Sequence, residues 1–224
     1  MKGLKIVSLL TFIMVLASVA IFFVEGVTSA AIKDREDAEI AEALEVFFPE
    51  YNPNAGYTAE AHTTEDTDFG ISGIEQVFDV KDPNENIMGY FYQVAFQGYA
   101  SNIKYIFATD SVGQIIGYRI TQQADTPGFG AQIADEENWT QFIGMLLSDA
   151  GDGNFDGLSG ASITTGKWKA SMEVDADYHK ETYGEPSAED ILALKKAQLV
   201  PDGSSFEAVT VTEKMTASGI SSVD

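Results

Sequence analysis

Ile103-Lys104-Tyr105-Ile106-Phe107-Ala108-Thr109, then Asp110-Ser111-Val112-Gly113, then Ile115-Ile116-Gly117-Tyr118-Arg119-Ile120-Thr121, are two apolar runs joined by turn-forming residues. β-branched and aromatic side chains suit a pleated, half-buried surface, and Asp, Ser and Gly suit a tight reversal. The spacing predicts an antiparallel hairpin. Working toward the N-terminus, Ile87 to Phe96 has the same chemistry and adds a strand. Asp82-Pro83-Asn84-Glu85-Asn86 is a turn, and Gln76 to Val80 is a short strand before it. The result is an antiparallel meander. Tyr51 to Gly73, rich in Thr, Asn, Gly and acid, reads as a loop. Helical periodicity flanks the meander. Ile40, Ala41, Leu44, Phe47 and Phe48 form one stripe over 34–48, which Pro49 ends. A short amphipathic helix is expected over 138–147, with Trp139, Phe142, Ile143 and Leu146 near one face, and another from Gly166 to Asp177. Ser187-x-x-Asp190 opens a further helix to about Leu199, Pro201-Asp202-Gly203 stops it, and Phe206 to Val211 alternates like an edge strand. The fold class is α+β, an antiparallel sheet with flanking helices.

At the N-terminus, Ile6 to Val24 carries no charge, with Lys2 and Lys5 before it and Glu25 after it. The run is long enough for a transmembrane helix, and the flanking lysines put the N-terminus in the cytoplasm and the rest of the chain outside. The competing reading is a cleaved signal peptide ending near Thr28-Ser29-Ala30, but the apolar run exceeds the usual signal core. The organisation expected is an anchor over residues 1–30, an extracytoplasmic domain over 31–185 and a C-terminal helix and strand extension over 186–224. A formal charge of -22 argues against nucleic acid and anionic lipid as main partners. With no cysteine there are no disulfides, thiolate-held iron–sulfur clusters or cysteine nucleophiles. His62 and His179 sit in polar stretches and read as solvated side chains rather than metal ligands.

Two stretches carry chemistry. Asp156-Gly157-Leu158-Ser159-Gly160-Ala161-Ser162-Ile163-Thr164-Thr165 is small, glycine-punctuated and rich in hydroxyls, and it precedes a helix. Backbone N–H groups at a helix start suit a phosphate, while the plainer reading is a capping loop. Asp125-Thr126-Pro127-Gly128-Phe129-Gly130 is a turn in which proline fixes φ and glycines permit close backbone approach. A rival lies at Asp152-Gly153-Asn154-Phe155-Asp156-Gly157, which has the opening spacing of a calcium loop. Its twelfth position is Ile163 where a bidentate carboxylate belongs. No Gly-x-Ser-x-Gly elbow is present and no histidine adjoins the serine motif, so a hydrolase is poorly supported.

Asp156, Ser159, Gly160, Ala161 and Ser162 match the Asp-x-x-Ser/Thr-Gly-Ala-Ser/Thr pattern to which flavin transferases attach FMN. With Asp125-Thr126-Pro127-Gly128-Phe129-Gly130 in place of the usual Glu-Thr-Pro-Gly-Leu-Gly, the chain resembles the FMN-binding G subunits of Rnf ion-translocating electron-transport complexes. The C subunits of sodium-translocating NADH:quinone reductases are related to these. Gly98-Tyr99 followed by Ile103 is similar to the family's Gly-Tyr-Gly-Gly-Pro-Ile, broken here by Ala100, Ser101 and Asn102; an ordinary strand connection is the role expected of it. The resemblance implies a phosphoester of FMN on Ser162, formed from FAD by a separate flavin transferase that docks on Asp156. It implies a flavin site built from Leu158, Ser159, Gly160, Ala161, Thr164 and Thr165 on one side and Asp125, Thr126, Pro127, Gly128 and Phe129 on the other. It implies an electron-carrying component of a ferredoxin:NAD oxidoreductase in the inner or plasma membrane, single-pass and partnered by the complex's other membrane subunits, rather than a self-contained enzyme. A C-type component of a quinone reductase, a free-standing flavinylated carrier and an anchored calcium-binding module are the alternatives.

Overall fold

The computed structural model describes residues 2–62 and 72–192. The helix expected from Ser187 is described as far as Leu192, and its remainder and the strand expected over 206–211 lie outside the described residues. The chain divides into two compact units, Met1–Thr182 and Tyr183–Asp224. Within the second, Ser187 and Asp190 cap each other: the Ser187 hydroxyl donates to Asp190 Oδ2 at 2.6 Å and accepts from Asp190 N at 3.2 Å.

In the first unit, α1 (Lys2–Phe47) leads into β1 (Thr58–His62), β2 (Ser72–Lys81), β3 (Ile87–Gln97), β4 (Asn102–Asp110) and β5 (Ile115–Gln122). The five strands form an antiparallel meander in chain order. Then come α2 (Glu136–Trp139), α3 (Leu147–Gly151) and α4 (Ser162–Tyr183). Both faces of the sheet are covered. The C-terminal end of α1 packs Ile40, Ala43, Leu44 and Phe47 on Val80, Phe91, Ile106 and Ala108. The opposite face presents Tyr92, Tyr105, Phe107 and Tyr118 to α4, and Tyr92 stacks on Phe107 at 4.5 Å between ring centroids. Burial on two faces explains why β3 and β4 read as nearly continuous apolar runs rather than as a clean alternation. The approach of α1 is close: a Cβ on Gly117 would lie 2.2 Å from the Phe47 ring.

Three expectations need correction. First, part of the 51–73 loop is strand β1, paired to β2 from Thr58↔Lys81 to His62↔Val77. It is a mostly exposed edge strand with no apolar face to reveal it, and the ion pair of Lys81 with Glu60 at 2.5 Å accompanies the ladder. Second, the helix expected over 138–147 is broken. The chain runs α2, then a 3-10 turn over Thr140–Phe142, then an extended stretch before α3. Gly144, at φ +86°, turns the chain so that Gly144 N donates to Ile115 O and Met145 O accepts from Ile115 N, both at 2.8 Å. Pairing with the start of β5 outweighs local helical periodicity. Third, Ala43 rather than Ala41 is buried in the α1 stripe. Among the described residues no helix is long and apolar enough to cross a membrane. The expected span over 6–24 falls partly on side chains outside those described.

Candidate functional site

Three segments converge at the N-terminus of α4. The first is the hydroxyl loop. A Cβ on Gly157 would lie 2.5 Å from Thr165 Cγ2, so the chain passes directly beneath that residue. This lets Leu158 N donate to Thr165 Oγ1 at 2.9 Å. Gly160 turns the chain at φ +72° and Ala161 N donates to Leu158 O at 3.3 Å. The turn buries Leu158 and Ala161 and leaves Ser159, Gly160 and Ser162 exposed. Thr165 N donates to Ala161 O at 2.9 Å and is the first helical donor, so the N–H groups of Ser162, Ile163 and Thr164 come before it without an acceptor in the helix. Gln141 holds the loop's entrance, accepting from Asp156 N at 2.7 Å and donating to Asp156 O at 3.2 Å.

The second segment is the Asp125–Gly130 turn. Phe129 N and Ala131 N both donate to Thr126 O, at 3.1 and 3.2 Å. Asp125 is buried, and its carboxylate accepts from Thr126 N at 2.8 Å, Ala100 N at 3.0 Å, Tyr99 N at 3.1 Å and Thr164 Oγ1 at 2.8 Å. Burial raises the pKa of Asp125, but the hydrogen bonds from Thr126, Thr164, Tyr99 and Ala100 outweigh it and hold the carboxyl below its ordinary value. Gly130 is required here, since a Cβ there would lie 2.3 Å from Asp125 Oδ2.

The third segment is the tip of the β3–β4 hairpin, Gly98 to Ser101. In the sequence it reads as an ordinary connection. It is tied to the other two segments by Asp125, by Lys167 Nζ donating to Gly98 O at 3.0 Å, and by Ala124 N donating to Ser101 Oγ at 3.1 Å. The resemblance of Gly98-Tyr99 to the family stretch was the available signal.

Between the segments lies a cavity of about 300 Å³. Tyr99 lines it from the hairpin; Asp125, Thr126, Phe129 and Gly130 from the turn; and Gly160, Ala161, Ser162, Ile163 and Thr164 from the helix start. Asp156, Leu158, Ser159, Thr165, Pro127 and Gly128 stand outside this lining. The hydroxyls of Thr164 and Thr165 and both carboxylate oxygens of Asp125 are engaged within the fold. Ser162 differs: its side chain is exposed and makes no hydrogen bond among the described residues. Small residues, an available hydroxyl and unpaired helix-start N–H groups fit a flavin phosphate, and the apolar side chains Phe129 and Ile163 fit its ring system. The volume is at the small end for an organic ligand, so a flavin here would be partly exposed.

Below the cavity, α4 buries a polar row against the sheet. Trp168 Nε1 donates to Tyr118 OH at 2.8 Å, and Tyr105 OH contacts Ser171 Oγ at 2.7 Å and donates to Asp175 Oδ2. Burial raises the Asp175 pKa to about 8, against a lowering by the Tyr105 hydrogen bond, and Asp175 Oδ1 has no partner among the described residues. Burial lowers the His179 pKa to about 4. His179 is therefore a core residue in contact with Tyr92 OH, not the solvated side chain expected from its polar neighbours. In the Asp152 loop, Gly153 O accepts from Lys169 Nζ at 2.7 Å and Phe155 packs on Phe142 and Trp168. A lysine ammonium thus occupies a carbonyl of the candidate calcium loop. Among the described residues no group of three or more His, Cys, Asp or Glu side chains is placed to hold a metal.

The family model described as the FMN-binding domain matches residues 98–177, which span the hairpin tip, the turn, the hydroxyl loop and most of α4. Among curated proteins, the chain is similar to the G subunit of an ion-translocating oxidoreductase complex from Shewanella piezotolerans, with 26% identity over 170 residues covering 70% of this chain and 80% of the relative. The corresponding protein from Haemophilus influenzae is 30% identical over 148 residues, covering 59% of this chain and 70% of the relative. That from Escherichia coli O157:H7 is 31% identical over 103 residues, covering 41% and 50%.

Proposed function

The chain belongs to the family of G subunits of ion-translocating oxidoreductase complexes, and from that premise we propose that Ser162 holds FMN covalently in an extracytoplasmic domain carried on a membrane anchor. It is an FMN-binding electron-transfer component of such a complex, and its partners are the complex's other subunits. The observation that carries the covalent reading is Ser162 itself: an exposed, unengaged hydroxyl at the first residue of α4 and in the cavity wall.

Bound FMN supplies one- and two-electron chemistry at its isoalloxazine ring. The protein supplies position and polarity. The N–H groups at the start of α4 hold the phosphate, whose charge the helix terminus favours. Thr126 would offer a polar group and Phe129 an apolar face to the ring system. Asp156, Leu158, Ser159, Pro127, Gly128 and Thr165 act from behind the cavity wall, by shaping the two loops. During maturation, Ser162 Oγ gives up its proton and forms an ester bond to the flavin-side phosphorus of FAD. The pyrophosphate linkage breaks and AMP leaves. A magnesium-dependent flavin transferase performs this step, docking on exposed Asp156, with Gly160 and Ala161 leaving room for its active site. The anchor reading is supported by the exposed apolar side chains of α1, among them Phe12, Leu16, Phe22 and Phe23. The division proposed is anchor 1–30, flavin domain 31–185 and extension 186–224.

The test is mass spectrometry of denatured protein made alongside a flavin transferase. FMN is expected on the peptide containing Ser162. Ser162→Ala is expected to lack it while melting as the parent does, and Ser162→Thr to carry it. An unmodified wild-type peptide, with the transferase active on a control, overturns the covalent reading.

A further inference from the structure

Tyr99 is the one tyrosine of nine that the fold leaves exposed. Its side chain is 64% accessible, whereas the other eight are buried or half-buried. Among the described residues its ring makes no aromatic contact and its hydroxyl no hydrogen bond, although most of the other tyrosines stack or pack edge-on against neighbouring rings. An exposed tyrosine on a loose turn needs no explanation, but this backbone is held firmly. Tyr99 N and Ala100 N donate to the buried Asp125, Lys167 donates to Gly98 O, and Gly98 N donates to Ser101 O at 2.8 Å. A Cβ on Gly98 would lie 2.8 Å from Asp125 Oδ2, so the tip is drawn in as closely as a glycine allows. The effect is to fix an unpartnered aromatic ring at the wall of the cavity, opposite the segments that carry Phe129 and Ser162.

We infer that Tyr99 is a flavin-contacting wall of the site, its phenol ring lying against the isoalloxazine ring of the FMN held at Ser162; this rests on the FMN reading above. Stacking of this kind uses an apolar face whose exposure otherwise gains nothing, and it covers ring surface that a cavity of about 300 Å³ leaves open. Tyr99 is thereby distinguished from Tyr92, Tyr105 and Tyr118 beneath the sheet, whose rings pack in the core and whose hydroxyls are hydrogen-bonded to α4.

A phenol in contact with an excited flavin quenches its emission: an electron passes from the phenol to the flavin and returns, with no net change. Phenylalanine keeps the stacking surface but is a far poorer donor. The experiment uses full-length protein loaded by a flavin transferase, comparing wild type, Tyr99→Phe and Tyr99→Leu. Covalent FMN is counted by mass, and fluorescence lifetime is compared with that of the proteolysed flavin peptide. Emission is compared per FMN counted by mass, and equal melting temperature is expected in all three, because among the described residues the Tyr99 ring makes no aromatic contact and its hydroxyl no hydrogen bond. Emission is expected to be strongly quenched in wild type and severalfold brighter in Tyr99→Phe, and Tyr99→Leu is expected also to shift the visible flavin band. Unchanged lifetime in Tyr99→Phe, with FMN present in full, overturns the contact while leaving the FMN reading standing. Absence of FMN from all three proteins removes both. A fall in melting temperature with unchanged emission assigns Tyr99 a purely structural role and also overturns the contact.

Discussion

Asp125 stays ionised with little water around it because four donors converge on its two oxygens. Each donor comes from a part of the chain that must be brought to the cavity: the hairpin tip, the turn itself and the start of α4. Removing the charge leaves buried N–H groups mismatched, at about 1–3 kcal/mol for each group left unpaired. Asp125→Asn is therefore expected to lose about 2–4 kcal/mol in urea unfolding and to take up less FMN, because the hairpin tip and α4 lose their common tie. Lengthening the side chain is no remedy. Gly98 and Gly130 already crowd the carboxylate, so Asp125→Glu, which restores the residue type usual in the family, is expected to cost about 1–3 kcal/mol through overpacking. The folded-state pKa is depressed, so this carboxylate's contribution is present above its unfolded value near 3.8 and is lost as pH falls through the folded value. The resemblance singled out Asp125 as a residue of the flavin site. It is the fold that takes up its oxygens, because Gly98, distant in sequence, lets the hairpin tip bring Tyr99 N and Ala100 N to it. No local pattern encodes that convergence.

At the scale of elements, α4 was read from its periodicity, yet what it buries is unusual: Ser171, Asp175 and His179 follow Trp168 along the sheet-facing side. Spacings of four residues put Asp175 and His179 on one face, but nothing in the sequence says that Tyr105 and Tyr92 wait opposite. The same limit hid β1, whose pairing comes from β2 rather than from its own side chains. It also hid the break at Gly144, where a strand start competes for the backbone. The two buried titratable groups oppose each other. Asp175, raised to about 8 from 3.8, makes the folded state hold the extra proton, so stability falls as pH rises between those values. His179, lowered to about 4 from 6.5, makes the unfolded state hold it, so stability rises with pH between those values. Each slope is about 1.4 kcal/mol per pH unit. The two effects cancel from about pH 4 to 6.5, and above that only the Asp175 effect remains. Asp175→Asn is thus expected to unfold at progressively higher urea than wild type as pH rises from about 6.5 to 8, the difference growing by about 2 kcal/mol at full effect. A difference that stays constant across that interval shows Asp175 to be ionised in the fold already. Trp168→Ala, by contrast, removes a fully buried ring beside Tyr118, Phe142 and Phe155 and is expected to cost about 3–5 kcal/mol at any pH.

For the molecule as a whole, the question is what attaches it to the membrane. A chain with net charge -22 is repelled by anionic headgroups, so attachment by surface charge is disfavoured and salt should strengthen rather than release any such contact. What remains is apolar surface. The helix α1 runs 46 residues without a break, exposes large apolar side chains from Phe12 to Phe23, and ends with Ile40, Leu44 and Phe47 in the core of the domain. One helix therefore carries both the exposed apolar side chains and the packed ones, with no break between them. If residues 1–30 are the attachment, full-length protein is expected to stay with membranes through high salt and alkaline carbonate and to be released by detergent. A chain beginning at Ala31 is expected in the soluble fraction, with the same thermal transition, since among the described residues the buried part of α1 begins at Ile40. It is also expected to be loaded at Ser162 when the transferase is supplied in solution, because among the described residues the cavity lining comes from the hairpin tip, the turn and the helix start. Release of the full-length protein by carbonate alone would show that it is held through its partner subunits, and would reassign the exposed apolar side chains of α1 to contacts with them.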